Sequence, residues 1–121
     1  MIANVLLPGA LFLLFLLVLA LAPAQAASLF AGASVPAPAR QAELLHLVRQ
    51  DCGSCHGLRM EGGLGLPLSP LALKDKPPEA LVQTILHGRR GTAMPSWRPF
   101  LSEDEAGWIV EVLLKGLPDA H

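Results

Sequence analysis

The chain has 121 residues, and its nine Lys and Arg against ten Asp and Glu give a formal net charge of −1 at pH 7. A balance this close to neutral gives no reason to expect nucleic acid as a partner. No charged side chain precedes Arg40, so the high overall hydropathy belongs to the amino-terminal third and does not indicate a membrane-embedded body.

The amino-terminal segment has the pattern of an export signal. Residues 10–22 are an unbroken apolar run, and Ala24-Gln25-Ala26 is a small-x-small cleavage site. We therefore expect residues 1–26 to be a cleaved signal peptide that sends the protein to the periplasm, although the initial MIANV has no Lys or Arg. An uncleaved anchor is the alternative, because the apolar stretch nearly reaches the roughly 20 residues that span a bilayer. Membrane association is expected only in that case.

Two further parts follow the leader. Residues 27–39 are small and Pro-containing, without helical or strand period, and are predicted to be a flexible linker or mature amino terminus. Residues 40–121 are predicted to form one domain. A domain of this size buries proportionally little surface and often needs a covalent cross-link or a cofactor to fold stably.

Within that domain the periodicity predicts an all-α fold with three main helices and no strand. The first helix covers residues 40–52 and carries its apolar stripe into the first cysteine. The second, residues 77–88, begins at prolines and stops at a glycine. The third starts at a capping box of Ser102 with Glu105 and stops at Gly116.

The third helix is predicted to bury one apolar face, made of Trp108, Ile109, Val112 and Leu113. Between the first two helices, several leucines lie in a Gly- and Pro-rich loop with no long element. Three short helices and an apolar loop cannot easily close a core alone. The pattern therefore predicts a large, flat apolar group at the centre of the domain.

Both cysteines lie in the stretch DCGSCHG, as Cys52 and Cys55, with His56 directly behind them. A redox dithiol needs a thioredoxin-like βαβ scaffold, and no strand is predicted. A structural zinc site needs a fourth ligand and a second ligand pair, which the sequence does not offer. Cys-x-x-Cys-His is also the attachment signature of a c-type haem, with His56 as the proximal axial ligand, and we favour this interpretation.

The sixth ligand decides whether the haem iron keeps a free coordination position for small molecules or is closed by a second protein ligand. Met94, in the Gly/Pro loop GTAMPSW, is the candidate. Met60 follows His56 too closely to cross the ring, and His87 is the only substitute. A thioether favours ferrous iron, so His/Met ligation raises the reduction potential. A small haem enzyme such as a peroxidase needs an open iron, so we expect an electron-transfer protein and not an enzyme.

These motifs resemble class I cytochrome c over residues 40–117. More narrowly, RQDCGSCHG, ILHGRRGTAMPSW and LSEDEAGWIVEVL resemble the small NirC-type cytochromes associated with dissimilatory cytochrome cd1 nitrite reductase. The resemblance implies one covalent haem c, with thioether bonds at Cys52 and Cys55 and axial ligation by His56 and Met94.

The resemblance also implies a backbone partner for the proximal histidine. In the family, a Gly-Pro-x-Leu segment supplies a carbonyl to the histidine's other ring nitrogen, which orients the imidazole. The sequence here is GLPL, with Leu66 where the family has proline, so the Leu66 carbonyl is the candidate acceptor.

Four side chains near Met94 have more than one interpretation. Trp97 either hydrogen-bonds a haem propionate or shields the methionine side of the haem. Arg89, Arg90 and Arg98 are either solvated cations after a helix end or a positive rim that steers an acidic partner, or one of them pairs with a haem propionate.

The sequence thus predicts a periplasmic one-electron carrier in denitrification. The resemblance implies donation to the cytochrome cd1 nitrite reductase, with an upstream redox protein as the electron source. An accessory role in maturation of that reductase's haem d1 is the alternative, because both roles need the same haem and ligands.

Overall fold

The computed structural model describes residues 34–118, in which every regular element is helical and no strand occurs. Helix α1 spans Pro38–Leu47 and continues through a π-helical turn, Val48–Cys52, into the short helix α2, Gly53–His56. Helix α3 spans Pro70–Leu73, α4 spans Pro78–His87 and α5 spans Glu103–Lys115. The all-α prediction is confirmed.

Helix α1 begins two residues before its predicted start. Pro38 occupies the first turn, where a missing N–H breaks no helical hydrogen bond. Just before it, the Ser34 hydroxyl donates a 2.6 Å hydrogen bond to the carboxylate of Asp104 in α5. Residues 34–39, which fall in the predicted flexible linker, therefore contact the helical part of the chain.

The first predicted helix is not α-helical throughout. Its last turn, Val48–Cys52, is π-helical, and the Gly53 N–H donates back to the Val48 carbonyl. Single π-turns inside helices often occur at functional sites. This one directly precedes α2, so it sets the direction in which the second cysteine and the histidine leave the first helix.

Helix α5 has the predicted capping box. The Glu105 N–H donates to the Ser102 hydroxyl at 3.2 Å, and the Ser102 N–H donates to the Glu105 carboxylate at 2.8 Å. The same carboxylate accepts a 2.6 Å hydrogen bond from Arg40 Nε of α1. The helix ends at Gly116, whose φ of 96° is unfavourable for a residue with a Cβ. The start of α5 is thus capped and tied to α1 through one side chain.

The buried face of α5 differs from the predicted one. Ala106 and Val110 are buried, whereas Trp108 and Val112 are only half-buried. The reason is that α5 packs against α1, α3 and α4 together, which widens the buried arc and moves its centre. The rest of the predicted face is buried as expected.

The core lies where α1, α4 and α5 meet. The largest fully buried side chains are Leu44 and Val48 from α1 and its π-turn, Leu86 from α4, and Ile109 and Val110 from α5. Burying a side chain of this size stabilises a fold by about 1.5–3 kcal/mol. Leu44, Val48, Leu86 and Ile109 belong to one apolar cluster, which holds the three longer helices together.

Within residues 34–118 no helix combines the length and apolar character needed to span a bilayer. The predicted signal peptide, residues 1–26, lies outside the described residues.

Candidate functional site

A cavity of about 630 Å³ opens beside the core and falls in the size range of cofactor sites. Its walls are mostly apolar and come from α2 and the loop after it, from α4, from the loop after α4 and from α5. Leu81 and Ile85 of α4 and Leu113 of α5 contribute apolar wall. The helices thus leave between them a cavity suited to a large apolar group.

The two cysteines and the histidine behind them all line this cavity. Cys52 ends the π-turn, while Cys55 and His56 lie on α2. Both thiols are free and half-buried. Burial, with a smaller contribution from the Asp51 carboxylate, raises the pKa of the Cys52 thiol to about 11. A thiol with so high a pKa stays protonated at neutral pH, unlike the activated cysteine of a redox dithiol.

The imidazole of His56 is oriented by one backbone contact. Its Nδ1 lies 2.6 Å from the carbonyl oxygen of Leu66. Because a carbonyl can only accept, Nδ1 carries the proton in this pair, and the lone pair of a neutral ring lies on Nε2. This hydrogen bond fixes the tautomer and prepares Nε2 to bind a metal.

The loop that presents Leu66 is tied to α2 by its backbone. The Gly62 N–H donates to the His56 carbonyl and the Gly65 N–H donates to the Cys55 carbonyl, both at 2.8 Å. These bonds fold the loop back over the helix that carries the cysteines. The Leu66 carbonyl is therefore held in place by the surrounding loop and not by a single contact.

Gly65 is a residue of this site that the sequence analysis missed. A Cβ at this position would stand 2.7 Å from two ring atoms of His56, closer than real Cβ contacts. Only glycine lets the loop pass so near the imidazole. The Gly-rich composition of the loop was visible in the sequence, but which glycine faces the histidine depends on the fold.

The loop after α4 places Met94 at the cavity. The Met94 N–H donates to the Thr92 hydroxyl at 3.3 Å, and the Met94 carbonyl accepts from the Arg89 N–H at 3.2 Å. The Ser96 hydroxyl donates to the Leu86 carbonyl at 2.6 Å, which ties the loop to the end of α4. Met94 is thus on a constrained loop and lines the same cavity as His56.

The other candidate residues differ in whether they line the cavity. Trp97 and Arg89 line the cavity, and Trp97 makes an edge-to-face contact with Phe100 at 6.1 Å between ring centroids. His87 is exposed and does not line the cavity. Met60 is buried in the core, also away from the cavity. Met94 is therefore better placed than either as a second axial ligand.

A metal site of the zinc type has no support in the described part of the chain. Between residues 34 and 118, no group of three or more His, Cys, Asp or Glu side chains is arranged to hold an ion. The ligand set of the cavity is instead two thiols, one imidazole and one thioether. That combination fits a porphyrin, which itself supplies four nitrogen ligands to its iron.

Known proteins with similar sequences support a haem as the group that this cavity binds. Residues 39–112 match the family described as cytochrome c oxidase, cbb3-type, subunit III. Cytochrome c55X of Paracoccus denitrificans is 60% identical over 90 residues, covering 72% of this chain and 87% of that protein. Cytochrome c55X of Pseudomonas aeruginosa is 59% identical over 81 residues, covering 67% of this chain and 68% of that protein.

Two solved structures are also similar. A c-type cytochrome NirC superposes with a TM-score of 0.65 at 57% identity, covering 66% of this chain and 94% of that one. The dihydro-heme d1 dehydrogenase NirN, in complex with DHE, gives a TM-score of 0.56 at 35% identity. That alignment covers 61% of this chain and only 16% of NirN.

The chain belongs to the class I c-type cytochromes, the family whose helices and Cys-x-x-Cys-His segment it shares. Among them, the NirC type is the group that it resembles in both sequence and structure. One covalently bound haem c is its cofactor, and electron transfer is the function of the class. The residues around the cavity fit a haem, since two cysteines, one imidazole and one thioether line a mostly apolar cavity.

Proposed function

We propose that this chain is a periplasmic one-electron carrier that donates electrons to the cytochrome cd1 nitrite reductase in denitrification. The observation that carries the proposal is that His56, on α2, and Met94, on the loop after α4, line one cavity together with the two cysteines. An iron with both axial positions filled is suited to carrying electrons and not to binding substrates.

Each residue of the cavity has a separate role in this proposal. Cys52 and Cys55 bind the haem covalently through thioether bonds, and His56 and Met94 are its axial ligands. The Leu66 carbonyl holds the His56 imidazole in its ligating orientation. When bound, the haem supplies the Fe(II)/Fe(III) couple.

Trp97 is proposed to contact a haem propionate. Its indole ring lines the cavity, and its backbone N–H is already used, in a 3.1 Å hydrogen bond to the Ile85 carbonyl. The backbone at Trp97 is therefore tied to α4 beside the cavity. An indole N–H facing a carboxylate gives the polar contact that a half-buried Trp favours.

Periplasmic location follows in this proposal from the leader. Residues 1–26 have the composition of a signal peptide, and covalent attachment of haem suits an exported protein. The upstream partner would be another exported redox protein, and membrane association would require that the leader be retained.

The proposal is tested by electron transfer in solution. Reduced holoprotein is mixed with oxidised cytochrome cd1 nitrite reductase in a stopped-flow spectrometer, and the ferrous spectrum of the small cytochrome is followed. We expect second-order oxidation, and nitrite turnover sustained when the small cytochrome is re-reduced. Absence of oxidation by a reductase that another donor can reduce would contradict it.

The similarity to NirN favours one further candidate, an accessory redox role in haem d1 maturation. NirN is named as a dihydro-heme d1 dehydrogenase, and its aligned segment is 35% identical to this chain. A dehydrogenase needs an electron acceptor, which a small cytochrome could supply. Deleting the gene distinguishes the roles: reductase that contains haem d1 but receives electrons slowly supports donation, whereas reductase lacking haem d1 supports maturation.

A further inference from the structure

The loop that carries Met94 is held differently on its two sides. After Met94, the Ser96 hydroxyl and the Trp97 and Arg98 N–H groups all donate to carbonyls in the last turn of α4. Before Met94, residues 91–93 are exposed, and no atom beyond the chain neighbours lies within 4 Å of a Cβ position at Gly91. This first half of the loop therefore depends on hydrogen bonds and not on packing.

The Thr92 side chain makes two of the hydrogen bonds in this first half. Its hydroxyl donates to the Arg89 carbonyl at 2.7 Å and accepts from the Met94 N–H at 3.3 Å. Two backbone bonds accompany them: the Thr92 N–H donates to the Arg89 carbonyl at 3.1 Å, and the Arg89 N–H donates to the Met94 carbonyl at 3.2 Å. The hydroxyl thus connects the end of α4 to the backbone of Met94.

Thr92 also lines the cavity, so its hydroxyl has the cofactor as a second potential partner. A threonine hydroxyl has a single proton to donate, and here the Arg89 carbonyl accepts it. The oxygen keeps its lone pairs, which suit the Met94 N–H and cannot donate to a carboxylate of the cofactor. The hydroxyl therefore serves the loop and not the cofactor directly.

We propose that Thr92 is a positioning residue, whose hydroxyl holds the Met94 backbone so that the thioether stays bound to the iron. This inference rests on the proposed function, in which Met94 is the second axial ligand, and adds the residue that keeps that ligand in place. Without the hydroxyl, the Met94 N–H loses its partner, and the bond between its carbonyl and the Arg89 N–H remains. Met94 would then leave the iron more often, and an added ligand would take its position.

The size of the effect follows from the net strength of a hydrogen bond in water. One intramolecular hydrogen bond changes an equilibrium constant by about 2–10-fold. The Thr92 hydroxyl takes part in two such bonds, but the residue is exposed, so water replaces part of what is lost. We therefore expect the balance between bound and released Met94 to shift by about fivefold when the hydroxyl is removed.

The test uses three variants of the holoprotein. Thr92→Val removes the hydroxyl and keeps the branched shape, whereas Thr92→Ser keeps the hydroxyl. Thr84→Val is the matched comparison, because Thr84 lines the same cavity but its hydroxyl donates within α4, to the Ala80 carbonyl at 2.7 Å. Ferric protein is titrated with imidazole, which competes with Met94 for the iron, and loss of the methionine-to-iron charge-transfer band gives the dissociation constant.

We expect Thr92→Val to bind imidazole about fivefold more tightly than the wild type, and Thr92→Ser to stay within about twofold of it. Thr84→Val measures the effect of losing a cavity hydroxyl that does not touch the Met94 loop, and Thr92→Val should exceed that effect. Equal affinities in the two valine variants would overturn the positioning role. A serine variant that binds imidazole as tightly as Thr92→Val would also overturn it, because the hydroxyl would then not be the cause.

A second measurement follows the hydrogen bond itself. Exchange of the Met94 amide proton with solvent is recorded by NMR on the ferrous protein, which is diamagnetic when the iron is low-spin. Thr92→Val should speed this exchange by about 2–10-fold and leave the amides of Trp97 and Arg98, which donate to α4, unchanged. An unchanged rate at Met94 would overturn the hydroxyl as the group that holds it.

Failure of the proposed function gives a different result. Ferric wild-type protein without the methionine band would overturn Met94 as a ligand and, with it, the role of Thr92. Wild-type protein that has the band and shows the expected imidazole affinities, but gives no electron to the reductase, would overturn the reductase as acceptor while supporting Thr92 as the residue that positions Met94.

Discussion

At the scale of single residues, the proximal side of the site depends on how closely Gly65 approaches His56. The Leu66 carbonyl orients the imidazole at 2.6 Å, and the glycine before it leaves no space for a methyl group. The orientation of a ligating histidine strongly affects how well it binds a metal. The proximal side is therefore sensitive to the smallest possible substitution.

We predict that Gly65→Ala displaces either the imidazole or the loop and lowers the free energy of unfolding by about 1–3 kcal/mol. The ferric visible spectrum should also gain high-spin character as the His56 bond weakens. Gly107→Ala is the matched control, because nothing lies within 4 Å of a Cβ there. In the middle of α5 it should stabilise the protein by roughly 0.5–1 kcal/mol. Unchanged spectrum and stability in Gly65→Ala would refute the tight fit.

On the distal side, we predict that Met94→Ala leaves the sixth coordination position of the iron free. The methionine-to-iron charge-transfer band of the ferric spectrum should vanish, and cyanide should bind readily. The reduction potential should fall, because the thioether that favours ferrous iron is lost. His87→Ala serves as the control and should change none of these properties, since His87 is exposed and off the cavity. Persistence of the band in Met94→Ala would contradict the assignment of Met94 as the ligand.

At the scale of the helices, the start of α5 combines a capping box with a link to α1. Ser102 caps the helix, and Glu105 both completes the box and accepts from Arg40. We predict that Ser102→Ala costs about 1 kcal/mol of unfolding free energy, the usual effect of losing a side-chain cap. Thermal unfolding measures it, and an unchanged melting temperature would mean that the box does not contribute.

The Arg40–Glu105 contact predicts a particular dependence on pH. The hydrogen bond from Arg40 is the main cause that lowers the pKa of the Glu105 carboxyl below its ordinary value of 4.5. A carboxyl with a lower pKa in the folded state stabilises the fold at pH values above its unfolded pKa, and this contribution is lost as the pH falls through the folded pKa.

We therefore predict that Glu105→Gln is less stable than the wild type at pH 7 and that this difference shrinks toward zero as the pH falls through the lowered pKa of Glu105 in the folded state. The variant keeps a side-chain oxygen for the capping box, so the charge is what changes. Urea unfolding at several pH values provides the measurement. A difference that stays constant with pH would contradict the role of the ion pair.

At the scale of the whole molecule, the helices enclose a cavity of about 630 Å³ beside a small core. Unfilled apolar cavities destabilise proteins in proportion to their volume. We predict that Cys52→Ser/Cys55→Ser, which cannot attach haem covalently, yields a protein with less helical circular dichroism and no cooperative unfolding when no haem is bound. Full helicity and a sharp transition in that variant would show that the fold does not need the cofactor.

Features encoded in neighbouring residues could be predicted from the sequence. The capping box at Ser102 and the attachment motif at Cys52 each occupy a few consecutive positions, so local rules suffice. Gly65 against His56 and the burial of Val110 depend on distant elements coming together, which no local pattern contains. The π-turn before Gly53 was also missed, because its residues follow the periodicity of an ordinary α-helix.

We propose that the chain carries one electron on a haem whose iron has a protein ligand on both sides. A potentiometric titration of the holoprotein, followed in the visible spectrum, tests it most directly. We predict one Nernstian transition of a single electron with sharp isosbestic points between two six-coordinate low-spin spectra, unaffected by added peroxide. A high-spin ferric spectrum that changes when peroxide is added would contradict the account.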